Sequence, residues 1–388
     1  MRTQILRTAA IAGLALGVGF ATGAPASAQS VTTDEAAGYV VFPRIVSDAN
    51  DIFSTGTEID TVIQLTNTAA DPITVHCFYI NATGTCSTGT NTASSPAAEC
   101  LTVEECVGEG ATCDPQWSAA DFTIVLSPQQ PTGWVVDEGL SVPAPGDGAI
   151  PPVNTDYFVG ELRCVQVNDD ADATAGNSNG LQGEATIYGG SGSTVDVRSY
   201  SATGIQAVLE DGSTQNNKVM CLGGRDDAGG DCVEDDLGDG DDREYAACPA
   251  KLVVGHFFEG ASIGNNNSAA TALTLSPCTA DVATVEPTGL VVQFLVFNEF
   301  EQRMSGATEI DCVETVGLSE LGLVFSANVQ GTLAGQTHLR PVDSTGAGRG
   351  MIGLVEEALG GAGISVSHPN GIGEGGVDVV EYVFPLTP

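Results

Sequence analysis

The sequence predicts an all-β protein made of two tandem Ig-like β-sandwich domains with disulfide-stapled loops. Three observations predict this fold class. Short runs of β-branched and aromatic residues recur along the chain, separated by Gly, Pro, Asn, Asp and Ser. Helical periodicity is almost absent. The chain also holds 11 cysteines behind a leader that is typical of export, and disulfides form in exported proteins.

The first 28 residues have the three parts of a secretory signal peptide. Arg2 and Arg7 form the positive start, residues 9–20 are apolar, and Ala26-Ser27-Ala28 fits the A-x-A cleavage site. The apolar run is shorter than the roughly 20 residues that a membrane span needs. We therefore expect a secreted protein that is periplasmic, at the cell surface or extracellular, with no membrane span.

Residues 36–215 are predicted to form the first sandwich. Residues 73–80 are apolar on both faces, which favours a central strand. Other predicted strands of this domain lie at residues 39–42, 61–65, 122–126, 158–167, 184–188 and 205–209.

Residues 246–388 are predicted to form the second sandwich, because strand-like runs continue to the end of the chain. Only Met351 to Leu359 has helical character, although Gly353 weakens it. The predicted strands of this domain lie at residues 252–258, 290–297, 321–329 and 377–384.

Two polar segments interrupt the strands. Residues 222–245 are rich in Asp and Glu, so we expect an acidic linker or loop. Residues 87–117 carry three cysteines and are too polar to be held by burial, so we expect a disulfide-stapled loop on the first sandwich.

Cysteine spacing leaves the disulfide connectivity open. No C-x-x-C occurs, which removes the commonest zinc and redox spacings. Since 11 is odd, one thiol is free, buried or paired with another chain through an intermolecular disulfide. The pairs we expect are Cys77 with Cys164, joining the two sheets of the first sandwich, Cys106 with Cys113, and Cys221 with Cys232.

The charge balance excludes some partners. The chain has 12 Lys and Arg against 50 Asp and Glu, a formal charge of −38. Nucleic acids and anionic membranes bind through Lys and Arg, so neither is expected as a partner. Self-repulsion at this charge is screened by salt, so folding should strengthen as salt is added.

Closely spaced carboxylates in the acidic segment are candidate calcium ligands, since Ca²⁺ binds six to eight oxygens. The segment does not match an EF-hand loop, and the alternative is a solvated acidic linker. A weaker candidate is the spacing of Asn168, Asp170 and Asp172. The proposed metal ligands are Asp235, Asp236, Asp239, Asp241 and Asp242.

Two other functional patterns are weaker. Ser262 lies in a G-x-S-x-G sequence, the pattern around the nucleophile of many serine hydrolases. In those enzymes a helix follows the serine, whereas Asn265 to Asn267 follow it here. A turn between strands is therefore the favoured interpretation. The four histidines have no metal-binding spacing. A sugar-stacking face is also conceivable, although such residues are more often core, and its members would be Trp117, Trp134, Tyr157 and Phe158.

Several segments between residues 38 and 210 resemble those of exported bacterial β-rich proteins without an assigned activity. The resemblance implies an exported β-rich protein and transfers no functional residue. The segments that carry it are Val41-Phe42-Pro43, Gln64-Leu65-Thr66-Asn67-Thr68, His76-Cys77-Phe78-Tyr79, residues 126–134 and Glu161-Leu162-Arg163-Cys164-Val165.

Together these observations predict a non-enzymatic exported structural or binding protein with an unknown protein or polysaccharide partner. The alternatives are a calcium-dependent carbohydrate- or protein-binding module and a secreted hydrolase. No cofactor other than calcium is expected.

Overall fold

The computed structural model confirms the all-β class. Its helical structure, within the part described, is one 3-10 turn and one helix of four residues. The structure describes residues 31–48, 58–86, 99–100, 113–115, 118–140, 149–153, 157–167, 179–191, 194–208, 219–226, 231–234, 243–263, 267–283, 289–359 and 363–382.

Strands of the N-terminal half are longest where apolar and β-branched residues run without a break. They are β1 (Val31–Thr32), β2 (Tyr39–Ser47), β3 (Glu58–Asn67), β4 (Ile73–Asn81), β5 (Gly84–Cys86), β6 (Glu99–Cys100), β7 (Cys113–Pro115), β8 (Ser118–Leu126), β9 (Pro131–Val135), β10 (Phe158–Val167), β11 (Leu181–Ser191), β12 (Thr194–Ser201), β13 (Thr203–Ile205), β14 (Val219–Leu222), β15 (Gly224–Asp226) and β16 (Cys232–Glu234).

The C-terminal half follows the same pattern. A 3-10 turn (Leu323–Phe325) and α1 (Ala327–Gln330) lie between β23 and β24. The strands are β17 (Pro249–Phe257), β18 (Ser262–Ile263), β19 (Asn267–Pro277), β20 (Ala280–Asp281), β21 (Leu290–Asn298), β22 (Arg303–Ile310), β23 (Glu314–Gly317), β24 (Ala334–Val342), β25 (Met351–Leu359), β26 (Gly363–Ser367), β27 (Asn370–Glu374) and β28 (Asp378–Glu381).

Five sheets contain most of these strands. Sheet 1 has the order β1-β13-β2-β10-β4-β8, and sheet 2 the order β12-β11-β3-β9. Sheet 3 is β14-β28-β20, and sheet 4 is β22-β21-β24-β17-β27. Sheet 5 is β18-β19-β25-β26, with β23 also paired to β19. Two small sheets, β15-β16 and β6-β5-β7, complete the described strands.

The prediction of two Ig-like sandwiches is wrong, because the sheets are arranged as a five-bladed β-propeller. The physical difference is visible in sheet 1, whose strands are buried on both faces. In β2, Val40 and Phe42 point into one apolar core, and Tyr39 and Val41 into another. All ten residues of β10 are buried. A sandwich leaves one face of each sheet in solvent, whereas sheet 1 has an apolar core on each of its two faces.

The core on the second face of sheet 1 contains residues from both halves of the sequence. Tyr39 and Ile205 pack there with Met220, Ile352 and Val380. The two ends of the acidic segment, Leu222 and Tyr245, are buried in the same core. The two halves therefore share an apolar core.

The predicted helical segment is a strand. Residues 351–359 form β25, which pairs with β19 on one side and β26 on the other. Its first six residues are all buried. Burial on both faces produces a continuous apolar run, which a short sequence window does not distinguish from a buried helix.

Three disulfides lie within the described residues. Two were predicted, Cys77–Cys164 and Cys221–Cys232, and the third joins Cys248 to Cys278. Cys77 and Cys164 are opposite each other on β4 and β10, with 4.1 Å between their Cα atoms. This disulfide therefore lies within sheet 1, and the prediction that it joins two sheets is wrong. The expected Cys106–Cys113 pair reaches outside the described residues.

Cys312 is not part of a disulfide. Its thiol lies beside a cavity of about 20 Å³ that Glu161 and Arg163 also line. Burial raises its pKa to about 12, with a further contribution from the charge of Glu161. The predicted intermolecular disulfide therefore gains no support from the structure.

Candidate functional site

Most of the positive charges that the structure describes are used inside the fold. Arg163 is buried and bonds Glu161 at 2.6 Å. Arg44 and Arg198 both bond Glu356, which lies on β25. Two further ion pairs, Arg243 with Glu374 and Arg349 with Asp343, are partly exposed. These arginines balance acids of the fold, so they are not available to a partner.

Three cations differ from this pattern. Lys251, Arg303 and Arg340 form no ion pair among the described residues, and all three lie on sheet 4. Alternation along each strand puts them on one face. On β24, Leu339 is buried in the core while Arg340 is exposed, and on β17, Leu252 is buried next to Lys251. This outward side of sheet 4 is the cationic face, defined by Lys251, Arg303, His338 and Arg340.

Strand pairing fixes the layout of the cationic face. Leu252 is opposite Leu339, so Lys251 and Arg340 are neighbours on β17 and β24. Arg340 is opposite Gln293 on β21. Four residues further along β21, Phe297 is opposite Arg303 on β22. Two cations therefore lie at one end of the face and the third lies diagonally across it.

An apolar strip separates the two ends. Leu295 and Phe297 alternate with core residues of β21, so their side chains lie on the outward side and are half-buried. The Phe297 and His338 rings are 5.1 Å apart between centroids. A depression of about 440 Å³ lies between Leu295 and the Lys251–Arg340 end of the face, and it is lined by Lys251, Gln293, Leu295, Ser305, His338 and Arg340.

The pKa of His338 is affected by the positive charge of this face. Its pKa is lowered by desolvation and by the charge of Lys251. Its Nε2 lies 3.1 Å from the side-chain oxygen of Gln336, and in the neutral ring Nε2–H donates to that oxygen. A bound anion would offset the charge of Lys251 and raise the pKa of His338.

The arrangement suits recognition of an anion. Arginine presents a planar fork of donors to carboxylates, while lysine acts as a compact charge. Sheet 4 is a rigid hydrogen-bonded support, so the three cations are held apart at fixed positions.

The predicted metal ligands lie outside the described residues. This applies to Asp235, Asp236, Asp239, Asp241 and Asp242, and the weaker candidate with Asn168, Asp170 and Asp172 also lies there. The calcium hypothesis therefore stays a prediction.

Ser262 lies on a strand, and not in the turn that the sequence favoured. It is exposed on the short strand β18, which pairs with the start of β19. The nearest histidine in sequence, His256, is buried and bonds Thr337 at 2.8 Å. Within the described part of the chain, Ser262 forms no hydrogen bond with a histidine.

The predicted sugar-stacking face is wrong for the three members that the structure describes. Trp134, Tyr157 and Phe158 are all buried in the core between sheets 1 and 2. The indole of Trp134 donates to the Tyr79 hydroxyl. Trp117 lies outside the described residues.

Two other clusters of potential ligands are accounted for by the fold. Atoms of Cys248, Cys278 and Asp378 lie within 4.8 Å of one another, but the two sulfurs are bonded as a disulfide and so offer no thiolate. Asp60 has a pKa raised to about 8 by burial and by a hydrogen bond with the carboxyl of Asp137. The second cluster is therefore a hydrogen-bonded pair of carboxyl groups within the fold.

Sequence reasoning did not find the cationic face. One signal was present, since Gln336, His338 and Arg340 alternate with Thr337 and Leu339. That alternation places three polar residues on one side of a strand. The strands that lie next to this one are set by long-range pairing, and those strands decide which other cations belong to the face.

Comparison with protein-family models, with curated proteins and with solved structures finds no match for this chain. Among the described residues there is no helix long and apolar enough to cross a membrane.

Proposed function

We propose that this protein is an exported, non-enzymatic binding protein, and that the cationic face of sheet 4 binds an anionic partner. One observation carries the proposal: in a chain with a formal charge of −38, the described cations Lys251, Arg303 and Arg340 form no ion pair and lie on a single exposed sheet face. The arginines that do form ion pairs neutralise acids of the fold.

Export is supported by the leader sequence and by three disulfides. A binding role without chemistry is supported by the composition of the face. It offers cations, amides and apolar side chains on flat strands, and these groups recognise a ligand rather than transform it.

The overall negative charge does not prevent an anion from binding at this face. At physiological salt the Debye length is about 8 Å, so exposed acids further away than that are largely screened. The cations are in direct contact with a ligand and act at short range. Because these charges act only at short range, an anionic ligand should bind at this face and not elsewhere on the protein.

The test is a panel of polyanions, namely polygalacturonate, dextran sulfate and polyglutamate, with unsubstituted dextran as the neutral control. Binding is measured by biolayer interferometry at several NaCl concentrations, with a chelator present so that calcium does not bridge acid to acid. We expect at least one polyanion to bind, and the affinity to fall as salt rises.

Matched variants separate local recognition from total charge. The double variant Arg303→Gln/Arg340→Gln removes two cations of the face, while Arg243→Gln/Arg349→Gln removes two arginines elsewhere and changes the net charge equally. We expect the first to lose at least tenfold in affinity and the second to keep wild-type binding. Equal losses in both variants, or no binding of any polyanion by the wild type, would refute the proposal.

A further inference from the structure

We infer that the anionic partner is a linear acidic polysaccharide, with sugar carboxylates bound at both ends of the cationic face and sugar rings lying on the apolar strip between them. This inference rests on the proposed function and names the chemical class of its ligand. It follows from the spacing of the cations, the nature of the groups between them and the position of the face within the sheet.

Arg303 is too far from Lys251 and Arg340 for one small anion to contact both ends of the face. Arg340 is opposite Gln293, and Arg303 is opposite Phe297, four residues along β21. With about 3.3 Å per residue along a strand and about 4.8 Å between strands, the Cα atoms of Arg303 and Arg340 are about 16 Å apart. A ligand that uses both ends must therefore be extended and must carry more than one negative group.

The strip between the cations favours rings over a flexible acidic chain. Leu295 and Phe297 present apolar surface, and the pyranose ring of a sugar has an apolar face that can cover it. Gln293, Gln336 and Ser305 are exposed around the strip and can bond sugar hydroxyls through amide and hydroxyl groups. Charged, apolar and neutral hydrogen-bonding groups together match the make-up of an acidic polysaccharide.

The position of the face within sheet 4 disfavours an acidic peptide. Extended peptides gain affinity by adding a strand to a free sheet edge, where backbone groups are unpaired. Arg340 and Lys251 lie on β24 and β17, which both have a hydrogen-bonded strand on each side. No backbone group of β24 or β17 is free to hold a peptide, so a ligand at the Lys251–Arg340 end must be recognised by side chains. Among the strands that carry the three cations, a peptide could add a strand only beside β22, the edge strand that carries Arg303.

The first arm of the experiment varies ligand length. Oligogalacturonates of increasing length are titrated by isothermal calorimetry in chelator, beside polyglutamate of similar charge. We expect affinity to increase with oligomer length until both ends of the face are occupied and then to level off. Polyglutamate should bind at least tenfold more weakly than the longest oligogalacturonate.

The second arm removes the aromatic contact. Phe297→Ala should weaken oligogalacturonate binding about five- to tenfold, because it removes the binding free energy that an aromatic contact usually contributes. The same substitution should leave polyglutamate binding unchanged. Phe300→Ala is the matched control, because Phe300 is 68% exposed in the adjacent turn and off the face. Phe297→Leu, which keeps apolar bulk, should fall between wild type and Phe297→Ala and shows whether a loss comes from altered folding.

The outcomes separate this inference from the proposed function. If polyglutamate binds as well as oligogalacturonate and Phe297→Ala changes neither, the polysaccharide inference is overturned while an anion-binding face stands. If neither ligand binds and the wider polyanion panel also fails, both are overturned. Length-dependent binding that Arg303→Gln/Arg340→Gln and Phe297→Ala each weaken supports both.

Discussion

Replacing Arg163 by methionine removes the guanidinium that links sheet 1 to the end of β19. Its Nε bonds Glu161 at 2.6 Å, and the exposed fractions of the two side chains are 3% and 1%. Its terminal nitrogens donate to the Tyr39 hydroxyl, to Ser276 Oγ and, at 2.7 Å, to the carbonyl of Pro277. The arginine therefore satisfies acceptors on three separate strands.

The expected loss is large because Glu161 stays behind without a cation. Its other oxygen accepts a hydrogen bond from Ser276 Oγ at 2.6 Å, which does not compensate a buried charge. Breaking a buried ion pair by removing one partner costs about 3–5 kcal/mol. We expect Arg163→Met to lower the free energy of unfolding by that amount in urea denaturation with the disulfides intact.

Two further variants make this reasoning refutable. Glu161→Met/Arg163→Met removes both charges, so it should be more stable than Arg163→Met alone. Arg243→Met removes an arginine whose partner Glu374 has a side chain 63% exposed, and it should cost less than about 1 kcal/mol. If Arg163→Met costs no more than Arg243→Met, or if the double variant is the least stable, the buried pair does not support the fold as argued.

Four other predictions concern stability and reactivity. Burial lowers the pKa of His256 to about 4, below the value of about 6.5 in the unfolded chain. The stability that neutral His256 contributes is therefore complete above about pH 6.5 and is lost as the pH falls towards 4. His256→Gln should flatten the stability–pH curve between those two values. In the native protein a maleimide should label Cys312 slowly, because its thiol is partly buried and its pKa is raised to about 12, whereas rapid labelling without denaturant would contradict this. The melting midpoint should rise between dilute buffer and molar NaCl, since salt screens the repulsion that arises from the excess of 50 acids over 12 bases. An unchanged midpoint would contradict this argument. Replacing a disulfide by two alanines should cost more the longer the loop that it closes, about 3 to 5 kcal/mol. From the separations of 87, 30 and 11 residues, the order of thermal destabilisation should be Cys77–Cys164, then Cys248–Cys278, then Cys221–Cys232.

Local pattern was enough to identify strands and some close partners. The apolar run at residues 73–80 predicted a central strand, and β4 is hydrogen-bonded on both sides within sheet 1. Cys221 and Cys232 are 11 residues apart, so their pairing could be expected from proximity along the chain. For residues 351–359 the same reasoning wrongly predicted helical character. A strand that is buried on both faces has no alternation of apolar and polar residues to distinguish it from a helix.

The cationic face shows why the candidate site could not be predicted. Lys251, Arg303 and Arg340 are separated by 52 and 37 residues in the numbering of the chain, and no motif joins them. They share a surface because β17, β24, β21 and β22 pair in one register. A shift of one residue in that register would move a side chain to the opposite face.

By itself the sequence determined the strand content, the net negative charge and the presence of disulfides, and it predicts an export leader, because these features follow from composition and from short stretches of the chain. Only the tertiary structure decided the propeller arrangement of the sheets, the burial of sheet 1 on both faces and the placement of Lys251, Arg303 and Arg340 on one face of sheet 4. Those features depend on which strands become neighbours, and neighbours are chosen by burial and hydrogen bonding over the whole chain.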